Sequence, residues 1–286
     1  MTKAAARPRS FANGRLSTGR SELTEAFLAV RARLALVALL VALAGVAWWS
    51  TAGRMTEMDA GPGTGLGTLT WFLTAWVVMM AAMMFPSVAP TVALYSRMTR
   101  RRGLARPLAF MGAYLAVWSA AGVVAYGLFQ AGHAALGNEL AWDRGGRWFA
   151  AIVLLAAAVY EVTPLKDVCL AKCRSPLGFL LGSWRDRTRG AFEMGARHGA
   201  WCLGCCWALM AALFALGVMS LTWMILVAAL IAFEKTLPWP RAATWGTALV
   251  LTVLAVWVAA APGSLPGLTV PGETSGPGMS QMHGMQ

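Results

Sequence analysis

Charge is scarce in this chain. Only 13% of its 286 residues are Asp, Glu, Lys or Arg, while 58% are hydrophobic. A soluble domain carries roughly 25% charged residues to cover its surface, which excludes a soluble enzyme with one stray anchor. Acidic residues are the scarcer kind, 12 against 24 basic ones. In a soluble protein a net charge of +12 would point to nucleic acid. Here the cations lie between apolar blocks near bilayer length, ~20 residues each, and read as topology signals. No nucleic-acid partner is expected. Histidine is rare at three residues, which argues against a di-iron or haem site built on paired histidines. Tyrosine is rare too, 4 against 14 Trp. Trp48, Trp49, Trp71 and Trp148 sit at block edges, as interfacial anchors do. No convincing small-residue cleavage site accompanies the first apolar run, so no cleaved signal peptide is expected. No internal repeat has a fixed period.

What is present is a series of seven apolar blocks. They cover roughly 34–51, 69–95, 108–131, 148–164, 198–219, 221–236 and 242–261. Blocks five and six adjoin closely enough to form a tight helical hairpin. The connections carry Lys and Arg in strict alternation, 21 cations on one side and 3 on the other. The positive-inside bias then sets the N-terminus in the cytoplasm and the C-terminus outside. The sequence therefore predicts an all-α, polytopic transmembrane bundle of about seven spans. A basic cytoplasmic tail covers 1–32, the membrane domain 33–261, and a Gly-, Pro-, Ser- and Met-rich tail 262–286. Residues Ser21 to Arg33 have the composition of a short amphipathic surface helix. The last tail has the composition of a disordered segment.

Ionisable or ligand-like residues inside spans cost a few kcal/mol each if unpaired, and so mark candidate sites. Span two carries Met79, Met80, Met83 and Met84, followed by Pro86 and Pro90. The four thioethers fall within a sector of about 140° on a helix, and thioether sulfur suits Cu(I). Methionine also serves as an adaptable packing residue. Span five opens with His198, Cys202, Cys205, Cys206 and Met210 on neighbouring turns, a soft-metal donor set. Small residues and cysteines there also suit close helix packing. Glu161, Lys166, Cys169 and Cys173 lie just before it, and Glu234 and Lys235 close span six. Glu234 is a candidate ligand, counter-charge or proton acceptor, whereas an interfacial Lys235 would snorkel to the headgroups. All five cysteines fall between 169 and 206 at the predicted cytoplasmic end. That compartment is reducing, which favours free thiols or metal ligands over a structural disulfide. Every unusual group falls in the same half of the bilayer, as one shared site requires. Separately, Met279, Met282, His283 and Met285 in the tail form a run able to capture copper.

These residues carry a resemblance. The run Met79 to Pro86, Pro164-Leu-Lys166 with Cys169 and Cys173, the pattern Gly199-x-x-Cys202-x-Gly-Cys205-Cys206-Trp207-x-Leu-Met210, and Glu234-Lys235 are together similar to a bacterial family. It is described as predicted metal-binding integral membrane proteins, a domain of unknown function. The likeness covers roughly 70–240 and implies a multi-pass inner-membrane protein with a metal site, without supplying a reaction.

Three functions compete. The first is copper handling (binding, delivery or transport) through Met, Cys and His ligands, with a metal donor or acceptor protein as partner. The second is a membrane metalloenzyme, oxidoreductase or monooxygenase-like, acting on an apolar substrate. The third is a thiol redox module using Cys205 with Cys206, or Cys169 with Cys173. The expected cofactor is a transition metal ion, copper ahead of zinc or iron. The expected surroundings are the lipid bilayer of the bacterial inner membrane.

Overall fold

The computed structural model describes residues 38–39, 42–50, 53, 66–99, 103, 105–136, 145–217 and 220–261. The basic tail, the run Arg100 to Arg102 and the Met/His tail lie outside them. Residues 42–50, within the first apolar block, are helical. Beyond them the order is α1 (Leu69–Met98), α2 (Ala105–Leu136), α3 (Arg147–Glu161), α4 (Pro164–Arg174), α5 (Pro176–Ser183), α6 (Thr188–Leu216), α7 (Leu221–Thr236) and α8 (Pro240–Ala260). Among the described residues there is no strand.

Four of these helices, α1, α2, α6 and α8, are long and apolar enough to cross a bilayer. The pair α3 and α4, bent by 67°, makes a fifth if it is one broken span. Helix α7 has 16 residues and so is ~24 Å long at 1.5 Å per residue, short of the ~30 Å hydrocarbon core.

The expected connection 165–197 is mostly helical instead. It holds α4, α5 and the first turns of α6. Hydropathy marks only the apolar length of a helix. The polar start of α6 continues by other means, with Glu193 paired to Arg185 at 2.6 Å and to Arg189 at 3.4 Å. The break before α4 has a local cause too. Thr163 accepts the Lys166 N–H at 3.4 Å as an N-cap. Pro164 stands at the first helical position, where its missing N–H costs nothing.

Helix α6 is the hub and packs on α2, α3 and α4. Its approach to α2 requires Gly195, where a Cβ would stand 2.1 Å from the Phe110 carbonyl oxygen. Small residues let membrane helices come this close. Further along α2, the Trp76 indole N–H donates to the Trp118 carbonyl at 2.9 Å while its ring packs on Phe214 of α6, tying in α1. The outward faces of α2, α3 and α8 expose Leu128, Ile152, Val159, Leu249 and Val253. Such a continuous apolar exterior is unusual for a protein surrounded by water.

Candidate metal centre

The centre forms where α4 and α7 close against one face of α6. Cys202 lies one turn before the adjacent pair Cys205 and Cys206 on α6, and each is about 1% exposed. On α4 the 3.6-residue period puts Lys166, Cys169 and Cys173 on one stripe. Cys169 packs so tightly on α6 that a Cβ at Gly204 would stand 2.8 Å from its sulfur. One turn on, Cys173 Sγ lies 3.7 Å from Cys205 Sγ. The sulfurs of Cys173, Cys202 and Cys205 all lie within 4.8 Å of one another. Cys206 Sγ is 3.3 Å from Cys205 Sγ, and Met84 Sδ on α1 is 3.9 Å from Cys202 Sγ. All five cysteines are free thiols.

These spacings fit a soft cation. Metal–thiolate bonds of about 2.3 Å in a trigonal plane put the sulfurs about 4 Å apart. Three thiols and an adjacent thioether are soft donors, a set that suits Cu(I) and that zinc also accepts. A family model described as PpoB2, copper chaperone, matches residues 73–258, a segment holding every one of these sulfurs. The chain belongs to the PpoB2 copper chaperone family. No curated protein and no solved structure matches it.

In this PpoB2 family member, two polar groups meet the Cys202 sulfur. The Lys235 ammonium on α7 lies 3.3 Å away, and the Tyr114 hydroxyl on α2 shares a hydrogen bond of 3.1 Å. Lys235 also donates to Ser87 Oγ at 3.2 Å. Ser87 in turn donates to the Met84 carbonyl at 2.8 Å, between the two prolines of α1. A cation held here offsets the negative charge of a thiolate cluster. Lys235 therefore does not snorkel to headgroups. It reaches inward because its acceptors lie there.

A second buried polar group sits at the α3–α4 break. The Lys166 ammonium lies 2.8 and 2.7 Å from the two Glu161 carboxylate oxygens and 2.8 Å from Glu234 Oε2. The Lys166 and Glu161 side chains are 0% exposed and Glu234 3%. Charges this deep are held only when paired. Arg174, at the far end of α4, donates to the Glu234 carbonyl at 2.7 Å and to the Leu237 carbonyl, capping the C-terminus of α7. Tyr160 adds a hydrogen bond of 2.6 Å to the Gly204 carbonyl. Helix α4 is thus pinned at both ends, which aims Cys173 at α6.

The thirteen residues singled out from the sequence therefore separate. Met84, Cys173, Cys202, Cys205 and Cys206 converge, and Cys169 packs beside them against Gly204. Glu161 and Glu234 face Lys166. His198 lies among the rings of Phe110, Tyr114 and Phe179, with centroids 5.9, 6.0 and 4.8 Å away. Its Nδ1 has no hydrogen-bond partner among the described residues. Tyr114 stands between this imidazole and Cys202. Met79, Met80, Met83 and Met210 are buried in the apolar core.

Tyr114, Ser87 and Arg174 were not singled out from the sequence. Ser87 had the one available signal, a hydroxyl between the two prolines of its span. Lys166 and Lys235 were counted as topology cations.

Proposed function

We propose that this chain is a multi-pass copper-handling protein of the bacterial inner membrane that binds Cu(I) and hands it to an acceptor. The observation that carries the reading is the meeting of Cys173, Cys202 and Cys205 from two helices within 4.8 Å. Cys206 and Met84 stand beside them as exchange ligands. A soft ion moving between sulfurs can trade one donor for the next without ever losing all of them. Lys235 balances part of the thiolate charge. The copper chaperone description of the family agrees with this donor set, and the apolar exterior of α2, α3 and α8 suits a bilayer. His198 and the Glu161–Lys166–Glu234 group are assigned supporting roles, positioning α6 and α4 rather than ligating.

The seven-span topology, with the cluster near the cytoplasmic face, suits delivery on that side. Transport across the whole bilayer would need ligands at further depths, and the clustered thiols gather at one.

The test is copper content and affinity of the reduced, detergent-purified full chain. Cu(I) is supplied anaerobically against a chromophoric chelator. One tightly held Cu(I) per chain is expected. It should be lost in the Cys202→Ala/Cys205→Ala/Cys206→Ala variant, while that variant keeps its helical circular dichroism. A wild-type chain that cannot compete with the chelator overturns the reading.

A further inference from the structure

The five cysteines differ in access. Cys169, Cys202, Cys205 and Cys206 are buried, whereas Cys173 is half-buried. It stands in the last turn of α4 between Lys172 and Arg174. Lys172 is exposed, so the approach to Cys173 is polar and cationic. Behind Cys173, at 3.7 Å, lies the buried Cys205 sulfur on another helix. The least buried of the five thiols, backed by a fully buried one across a helix interface, is the arrangement that thiol–disulfide exchange uses.

We infer that Cys173 and Cys205 form an exchange centre for an anionic small disulfide, and that its turnover unloads the copper. The inference rests on the Cu(I) site proposed above. The Cys173 thiolate attacks one sulfur of the incoming disulfide RSSR, forming Cys173–S–S–R and releasing RS⁻. The Cys205 thiolate then attacks the Cys173 sulfur, forming the Cys173–Cys205 disulfide and releasing the second RS⁻. Two protein thiols are oxidised by two electrons. One external disulfide is reduced to two thiolates, which take their two protons from solvent, since copper has already displaced those of Cys173 and Cys205.

The metal cannot keep both sulfurs after this step, because disulfide sulfur is no longer an anionic ligand. Two of the three clustered thiolates are lost at once, and Cu(I) is left with Cys202, Cys206 and Met84 at most. A buried thiolate site needs some such event to let its cargo go. Two other pairings are disfavoured by geometry, and Cys202, whose sulfur is engaged by Lys235 and Tyr114, is left to the metal. Cys205 and Cys206 are adjacent, with Cα atoms about 3.8 Å apart, less than the roughly 4.4–6.8 Å a disulfide usually spans. Cys169 is turned onto Gly204 rather than toward another sulfur. The redox pair is therefore neither Cys205 with Cys206 nor Cys169 with Cys173.

The experiment uses the full chain in detergent, loaded with Cu(I) without oxygen and treated with oxidised glutathione. A Cu(I) chelator reports release, and mass spectrometry of the digest reports linkages. Copper release should match the yield of the Cys173–Cys205 linkage, and excess dithiothreitol should reverse it. The variant Cys205→Ser should trap glutathione on Cys173, whereas Cys173→Ser should trap none on Cys205. Cys169→Ser, outside the pair, should behave as wild type. Cationic cystamine should react more slowly than oxidised glutathione once each rate is divided by its rate with a free thiol. A chain that binds Cu(I) yet gives no Cys173–Cys205 linkage, or a different pairing, overturns the inference and leaves the copper site standing. A reduced chain that binds no Cu(I) overturns the copper site itself. A linkage that forms without copper release overturns the coupling between them.

Discussion

Lys235 illustrates how one side chain changes meaning with its partners. By position it closes an apolar helix, where a lysine ordinarily reaches for headgroups. Its ammonium instead meets Cys202 and Ser87. A hydrogen bond to a charged group contributes about 1.5–3 kcal/mol. Lys235→Met should therefore weaken Cu(I) binding by about ten- to a hundredfold, read by chelator competition. Unchanged affinity would remove Lys235 from the site. Gly204 gives a second prediction of the same scale. A Cβ there meets the Cys169 sulfur at 2.8 Å, and overpacking costs about 1–3 kcal/mol. Gly204→Ala should lower thermal stability in detergent, and adding Cys169→Ala should restore it. If the double variant is no better than the single one, Cys169 is not what Gly204 accommodates. Neither contact is visible in the sequence, because each joins residues on helices whose spatial order periodicity does not give. The sulfurs themselves are legible, since three cysteines in five positions at the start of a span have few bland explanations.

At the level of the helices, long apolar runs announced α1, α2 and α8 within about five residues, and α6 from its apolar part onward, ten residues after its first turn begins. The short apolar helices α3 and α7 were announced too, whereas α4 and α5 were hidden. Segment 165–197 reads as a charged connection because a hydropathy window averages Lys166 with its polar neighbours. Its burial depends on Glu161 across a helix break and on Glu234 from a distant helix, and no local pattern reports either. The break has an energetic consequence. Removing one member of a buried charge group costs about 3–5 kcal/mol, since the remaining charges are left uncompensated. Lys166→Met leaves two carboxylates facing each other and should destabilise the chain by about that much. It should also loosen α4 enough to reduce Cu(I) affinity, although Lys166 touches no sulfur. The triple variant Lys166→Met/Glu161→Gln/Glu234→Gln removes the charges together and should recover most of the stability. Thermal unfolding in detergent measures both. Equal loss in the single and triple variants would mean that packing at the break, not charge, holds α4.

For the whole molecule the open quantity is whether α7 crosses. If the first apolar block, α1, α2, the bent α3–α4 pair, α6 and α8 each span once, the count is six without α7 and seven with it. The two counts place the C-terminus on opposite sides. The burial of Lys166 and Lys235 removes two cations from the positive-inside comparison. It leaves 19 against 3, since the sequence has 24 in all, 21 of them on the predicted cytoplasmic side. The bias survives, but the junction of α7 and α8 then keeps only Arg241, in the first turn of α8, so it is the weakest vote for topology. The shortness of α7 points toward a helix that stops within the bilayer. However, it follows α6 after only the connection 217–220, and the two helices pack together. A hairpin of this kind returns the chain to the side on which α6 began. With Glu234 and Lys235 meeting groups on α4, α1 and α6, the end of α7 lies at the depth of the cluster, midway along α6 and in the first half of the apolar block 198–219. We therefore expect seven crossings, the N-terminus inside and the C-terminus outside. Full-length fusions carrying a phosphatase active only outside, or a fluorescent protein active only inside, decide it at each terminus. Both termini on the cytoplasmic side would make α7 re-entrant and leave Met279, Met282, His283 and Met285 facing the same compartment as the thiols.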